Sequence, residues 1–407
     1  MTVPDQPLDF RVDEDRKWRP PDSRLALVDA IRAYALIGLF LLHVEQQFEL
    51  YWAAPKPSWS TTVVFGLFAG KTFSLLALSF GFSFFMMLEG AGRRMSSSRF
   101  AWRLTILVAI GSLHGAVYRG DIIVVLAICG FLLIPIHHVR SKAMLCAIAA
   151  FCFAQPYILA LIVAGLAGAA WALKPAAYVS DPGSYLTGGL GEVLLGNLGS
   201  GQVGKWWFYY ETGRIMQVMG LFIVGLLLGR FGFFHHPNKF RWQRMMALLG
   251  SVAAAVVLLA VHRTIARFGS GPSFWTDVLV SGWFNLACTA ISLLVFVAFW
   301  QAGGEFVLRP LSPAGRMTLT LYVGQSLLFV PLFYPFGLGL YNRLSQEEAL
   351  ALGLVAVTLQ VAFAGAWFLR FRYGPLEWLW RCATWLTWKV PILRHGEPRE
   401  IDRLQTL

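Results

Sequence analysis

The chain has 407 residues, 57% of them hydrophobic and only 14% charged, with a formal net charge of +12. So apolar a composition excludes a soluble globular protein, and the positive balance is read as the basic loops of a membrane protein rather than a nucleic-acid footprint, because Lys and Arg collect on loops that are not translocated. Apolar runs of about 20 residues recur, long enough to cross ~30 Å of hydrocarbon as helices, and no alternating ten-residue segments suggest a β-barrel. The expected fold is therefore all-α: a polytopic integral membrane protein of about ten transmembrane helices, within a range of 9–12, with interfacial helices beside them.

In chain order, residues 1–24 are polar and carry no apolar core, which predicts a cytoplasmic tail without a cleavable signal peptide. A single transmembrane domain is expected over 25–369, with spans near 25–46, 71–90, 103–118, 121–136, 143–173, 214–229, 245–262, 276–301, 317–336 and 347–369. Basic clusters alternate from loop to loop, as at Arg93, Arg94 and Arg99 after the second span, Arg140 and Lys142 after the fourth, and Arg230, Lys239, Arg241 and Arg244 after the sixth. Both termini are thereby predicted to be cytoplasmic, in a bacterial inner (plasma) membrane; Arg263 and Arg267 fall on the opposite side and leave spans seven and eight the least defined. The segment 174–213, rich in Gly, Trp and Tyr, is expected to be an outer re-entrant or interfacial roof, and 370–407 a cytoplasmic interfacial helix and tail.

Ionisable groups inside spans are the first candidates for function, since each costs roughly 2.5 kcal/mol or more at the bilayer centre. His114 closes the third span and Asp121 opens the fourth, with Gly115 and Gly120 allowing a turn between them. Asp121 is equally readable as a helix N-cap, because Asp at a helix start accepts from free N–H groups. On the first span Asp29, Arg32 and His43 fall within about 60° of one face at 100° per residue, and the first two are close enough to pair. Thr318, Tyr322, Gln325 and Ser326 form a polar stripe on the ninth span, readable as interhelical hydrogen bonding or as cavity lining. Lys71, with Ser74 one turn on, is readable as an ordinary snorkelling lysine. The five cysteines, Cys129, Cys146, Cys152, Cys288 and Cys382, show neither disulfide nor metal-ligand spacing, and no metal site is expected. There is no P-loop, dinucleotide fingerprint, zincin helix or nucleophile elbow, and no inverted pair of broken helices of the transporter kind.

Several stretches resemble the YeiB-like membrane proteins, a family with a C-terminal domain of unknown function. They are LVDAIRAYALIG at 27–38, the LLALSFGFSF run that follows Gly70 and Lys71, IGSLHGAVYRGDIIVVLAICG at 110–130, PLSPAGRMTLTLYVGQSLL at 310–328 and FRYGPLEWLWR at 371–381. The resemblance covers nearly the whole chain. Asp29 and Arg32 match the family's first-span pair, and Lys71, His114, Asp121, Arg316, Gln325, Glu377 and Arg381 fall on its recurring polar positions. His43 stands where many YeiB-like chains have Asn, whereas acyltransferase family 3 ends its first span with His; Ala33 replaces the usual Gly. Through its likeness to the wider transmembrane acyltransferases, the resemblance implies transfer of an acyl group from a cytosolic acyl-CoA to a hydroxyl or amine acceptor (glycan, lipid or small molecule) at the outer side.

In that reading His114 or His43 serves as the base, because histidine's reference pKa of about 6.5 lies near working pH, and Asp121 orients the imidazole. Arg32 or Lys71 holds the donor's phosphates or the developing negative charge. Asp29, Arg316, Tyr322 and Gln325 complete the expected binding set, with acyl-CoA as co-substrate, membrane lipids as surroundings, no nucleic-acid partner and oligomerisation left open. The alternative is a transporter or flippase for a lipid-linked or amphipathic small molecule that uses the same charges as substrate or proton sites.

Overall fold

The computed structural model describes residues 25–90, 95–169, 183–268 and 273–394. The expected tails 1–24 and 395–407, the loop arginines Arg93 and Arg94, and the part of the roof segment at 174–182 lie outside the described residues.

Eighteen helices follow one another: α1 (Ala26–Glu45), α2 (Trp59–Phe68), α3 (Lys71–Leu88), α4 (Ser97–Val117), α5 (Ile123–His137), α6 (Lys142–Ala154), α7 (Pro156–Leu166), α8 (Gly183–Thr187), α9 (Leu190–Gly196), α10 (Gln202–Glu211), α11 (Arg214–Phe231), α12 (Arg241–Phe268), α13 (Ser273–Phe299), α14 (Glu305–Leu308), α15 (Ser312–Arg316), α16 (Thr318–Phe333), α17 (Gln346–Arg370) and α18 (Pro375–Trp385). No strand forms among the described residues beyond a single bridge between Phe371 and Leu393. Among the described residues eight helical stretches are long and apolar enough to cross a membrane, and the two shorter apolar helices α5 and α16 stand where the fourth and ninth spans were expected. The protein is an all-α, polytopic membrane protein.

Burial sorts these helices. In the most apolar window of the first span, which contains α1, 83% of residues are buried inside the protein, whereas the corresponding window around α12 has none, so α12 presents its apolar surface to lipid. Around α1 pack α2, α3, α15, α16 and α17, while α11 lies along α3. The α3–α11 crossing is close because both helices carry glycine there: a Cβ on Gly81 would sit 2.1 Å from the Phe222 carbonyl oxygen. The fifth expected span is broken. Gln155 adopts the left-handed conformation at φ 50°, and Pro156, which cannot donate a hydrogen bond, starts α7 afresh.

The two short helices set the position of everything that follows. At 15 and 16 residues, α5 and α16 span only about 22–24 Å, less than the hydrocarbon thickness. The N–H groups at the start of each are met by side chains of the protein, as helix ends buried away from water require. At α5 the acceptors are Asp121 and Tyr322: Asp121 Oδ1 accepts from Ile123 at 3.2 Å, its Oδ2 from Val124 at 3.1 Å, and the Tyr322 hydroxyl from Ile122 at 3.2 Å. At α16 the acceptor is Glu377 of α18, whose Oε1 takes the N–H groups of Leu319 at 2.8 Å and Thr320 at 3.1 Å.

Candidate functional site

Between these two helix starts lies a cavity of about 430 Å³, within the ~300–1,000 Å³ common for ligand pockets. Arg32 from α1, Arg103 from α4, Arg316 from α15 and Arg381 from α18 line it, with Asp29 and Glu377 as the carboxylates among the described residues. Four guanidinium groups thus share one largely apolar wall. Arg32 Nη1 donates to Asp29 Oδ1 at 3.1 Å and its Nη2 bonds the Ser83 hydroxyl. Arg103 lies flat over the Trp380 ring, 3.5 Å from its centroid, and the Trp380 indole N–H donates to the Arg103 carbonyl at 2.9 Å. Arg316 is held over Phe368 at 3.9 Å and Arg381 over Tyr373 at 4.4 Å. Three of the four guanidiniums are thus held against aromatic rings, and a guanidinium is the group suited to bidentate recognition of carboxylate or phosphate. Glu377 is pushed up from the ordinary carboxylate pKa by burial, against the lowering effect of its bonds to Thr320 and Leu319.

Tyr322 lies at the inner end of the cavity, and behind it stand the histidines. Its ring centroid is 5.0 Å from that of His114 and 6.5 Å from that of His43. Eleven residues along α4 separate Arg103 from His114, about 16 Å of helix, so the arginines and the histidines occupy different depths. His114 Nδ1 meets Asp121 Oδ1 at 2.8 Å. Because Asp121 already accepts two backbone N–H groups, it is the acceptor here too, and Nδ1 is the donor. That Nε2 is buried and has no hydrogen-bond partner among the described residues.

Both readings of Asp121 hold at once: it caps α5 and it fixes the His114 tautomer. The expected outer mouth does not exist in open form. His114 and Asp121 are 3% and 0% exposed, since α9, α10 and the π-helical turn at Asn197–Gly201 lie over them. Asn197 Nδ2 donates to the carbonyls of Ala116 at 2.8 Å and Val117 at 3.1 Å, closing the C-terminal end of α4. Gly115 leaves the room for the Gln202 amide, 3.0 Å from where its Cβ would stand.

The stripe read on α1 runs as expected from Asp29 and Arg32 in the cavity to His43 beside Tyr322 and Tyr118, the last at 5.1 Å between centroids. The stripe on α16 divides. Thr318 and Tyr322 line the cavity, whereas Gln325 Nε2 donates to Gln360 of α17 at 2.7 Å and Ser326 is buried apart from the cavity. Lys71 is not at the site either: its ammonium donates to the Gly66 carbonyl at 2.7 Å and so caps the end of α2, the structural option for a lysine beginning a helix. Ser74 bonds back to the Gly70 carbonyl. The segment expected only as an interfacial anchor, α18, does present Trp residues, and it also delivers Glu377 and Arg381 to the cavity. Sequence reasoning missed Arg103, which lines the cavity, and Lys205, which is 5% exposed in α10. Nothing in the sequence separates either from the other basic residues near helix ends.

The family described as "Protein of unknown function (DUF418)" matches residues 228–387. Over 90% of its length the chain is similar to the uncharacterized protein YxaH of Bacillus subtilis (strain 168), at 24% identity and covering 96% of that relative. It is 27% identical to the uncharacterized protein YeiB of Escherichia coli (strain K12), over 89% of this chain and 96% of the relative. An uncharacterized 39.9 kDa protein in the amylase 3' region of Bacillus acidopullulyticus is 23% identical over 92% of this chain and 98% of its own. These matches bear out the resemblance to the YeiB-like proteins.

Proposed function

We propose that the protein is a transmembrane acyltransferase that takes an acyl group from an acyl-CoA at its arginine-lined cavity and passes it to a hydroxyl or amine acceptor beneath the roof formed by α9 and α10. The observation that carries this reading is the series formed by the cavity with its four arginines, Tyr322 at its inner end, and the His114–Asp121 pair with a bare Nε2 behind that ring. A thioester donor of this class carries phosphates at one end and its reactive carbonyl at the other. The separation of about 16 Å between Arg103 and His114 along α4 suits such a molecule, phosphates on the guanidiniums and thioester toward the histidine.

In the transfer, Nε2 of His114 removes the acceptor's proton while the acceptor oxygen or nitrogen bonds to the thioester carbonyl carbon. Collapse of the tetrahedral intermediate breaks the C–S bond, and the thiolate takes the proton back from Nε2. Asp121 holds the imidazole in the productive tautomer and stabilises its protonated form. Tyr322 must swing aside for the acyl chain to pass, and His43, 6.5 Å from the same ring between centroids, is the second imidazole beside it.

The same reading places both termini and the arginine cavity on the cytoplasmic side of a bacterial inner membrane, because the basic loops gather at that end of the bundle. Cysteines introduced at the exposed Ser98 and Ser200 should then react with a membrane-impermeant thiol reagent from opposite sides. The activity test supplies native membranes with radiolabelled acetyl-CoA and total envelope extract and follows label into acceptor. No transfer by folded wild-type protein would sink the acyltransferase reading and favour transport of an amphipathic anion through the same cavity.

A further inference from the structure

Lys205 lies on α10, which has two unlike faces. Trp207, Phe208 and Tyr210 are exposed, as befits a helix at a membrane surface, whereas Lys205 and Tyr209, four residues apart and so on one face, are buried. This inverts the usual order, in which a lysine of an interfacial helix snorkels to water. Its ammonium has no hydrogen-bond partner among the described residues and stands 5.9 Å from the centroid of the adjacent Trp206 ring. Burial depresses its pKa while the nearby Asp121 carboxylate raises it, and Asp121 acts on Tyr209 of the same face as well. Gln202, which shares this face at i−3 from Lys205, has its amide 3.0 Å from where a Cβ on Gly115 would stand, with Asp121 on the same spot at 3.8 Å, so the buried face of α10 is turned toward the His114–Asp121 pair. Asp121 is engaged elsewhere, its Oδ1 with the imidazole and the Ile123 N–H and its Oδ2 with the Val124 N–H, and the ammonium does not come within hydrogen-bond distance of it.

A buried ammonium without an acceptor is expensive, and folding alone would favour methionine or leucine at this position. The missing acceptor is best supplied by a ligand. We propose that Lys205 is a further catalytic residue of the acyl transfer proposed above, whose ammonium donates a hydrogen bond to the thioester carbonyl oxygen and holds the negative charge that develops there. The electron pair that moves onto this oxygen when the acceptor bonds to the carbonyl carbon returns when the C–S bond breaks. Lys205 therefore keeps its proton throughout, and the proton that moves is the one carried by His114 Nε2. This division explains why the roof of the site carries a cation and its floor a base.

The inference rests on the acyltransferase reading, and the test separates the two. Wild type, Lys205→Met and Lys205→Arg are compared in native membranes with radiolabelled acetyl-CoA and envelope extract, and by melting in detergent. Loss of one such donor typically lowers kcat by about 10²–10³-fold. Lys205→Met should show that loss with KM for acetyl-CoA unchanged, because the phosphates are held elsewhere, and with a melting temperature equal to or above wild type, because an unpartnered buried charge is gone. Lys205→Arg, which keeps a donor, should recover part of the rate. Undiminished transfer by Lys205→Met overturns the proposal and leaves acyl transfer standing. A lower melting temperature in both variants overturns it in favour of a structural lysine. Absence of transfer in wild type removes the acyltransferase reading and this proposal with it.

Discussion

Two acid–base pairs face each other across the length of this protein, and they are built in opposite ways. Asp29 and Arg32 sit three residues apart on one helix, joined by a 3.1 Å contact, with the arginine side chain 22% exposed toward the cavity. Asp121 and His114 come from the facing ends of two helices, are both buried, and engage two backbone N–H groups besides each other. The first pair lies at the wall of a cavity. The second is buried, with Nε2 of His114 lacking a hydrogen-bond partner among the described residues. In the acyl transfer proposed above, this difference would separate the binding of a charged molecule from the reaction of its far end, with Tyr322 between the two.

The sharpest break of this comparison is at the closed pair. His114→Ala should reduce acyl transfer by about 10²–10⁴-fold, the usual effect of losing a general base, and Asp121→Asn, which keeps an acceptor oxygen for the helix start, should share most of that loss. Equal rates in wild type and His114→Ala would remove His114 from the mechanism, and a loss confined to His43→Ala would move the base to α1. At the open pair the expected effect is on stability. Arg32→Ala removes the 3.1 Å contact to Asp29, which is 2% exposed; breaking a fully buried pair costs about 3–5 kcal/mol, and the partial exposure of Arg32 reduces that to about 2 kcal/mol. An unchanged melting curve would show that Arg32 faces only ligand.

Arg381→Ala tests the cavity without touching either pair. KM for acetyl-CoA should rise about tenfold, equivalent to about 1.4 kcal/mol, with kcat retained, and the difference should shrink at high salt. A KM that does not move would place the phosphates elsewhere. The smallest effect is expected at Glu89, at the α3 terminus, which accepts from Arg230 at 2.9 and 2.7 Å and contacts His137 at 3.0 Å. Burial alone would raise its pKa, but the bonds from Arg230 and His137 outweigh it and hold the carboxyl below its ordinary 4.5. A depressed folded pKa contributes stability in full above the unfolded value, and that contribution disappears as pH falls through the folded value. Glu89→Gln should therefore melt below wild type near neutral pH and lose less than wild type on acidification below about 4.5; parallel acid profiles would show that the cluster contributes nothing.

Hydropathy alone determined the fold class and the approximate place of each membrane helix, because ~30 Å of hydrocarbon imposes a length on any apolar helix that crosses it. It also determined the face shared by Asp29, Arg32 and His43, since residues of one helix keep their angular spacing wherever that helix packs. Spacing made His114 and Asp121 candidates; only the tertiary structure joined them, because the turn between α4 and α5 closes under α9 and α10. That roof comes from residues some 80 positions away, as the Asn197 bonds to the end of α4 show. Lys71, Gln325 and Lys205 mark the limit most clearly. A buried polar side chain looks the same in sequence whether it caps a neighbouring helix, pairs with a glutamine or waits for a ligand. What tells these fates apart is which acceptors lie within 3 Å or so, and that depends on how separate helices are brought together.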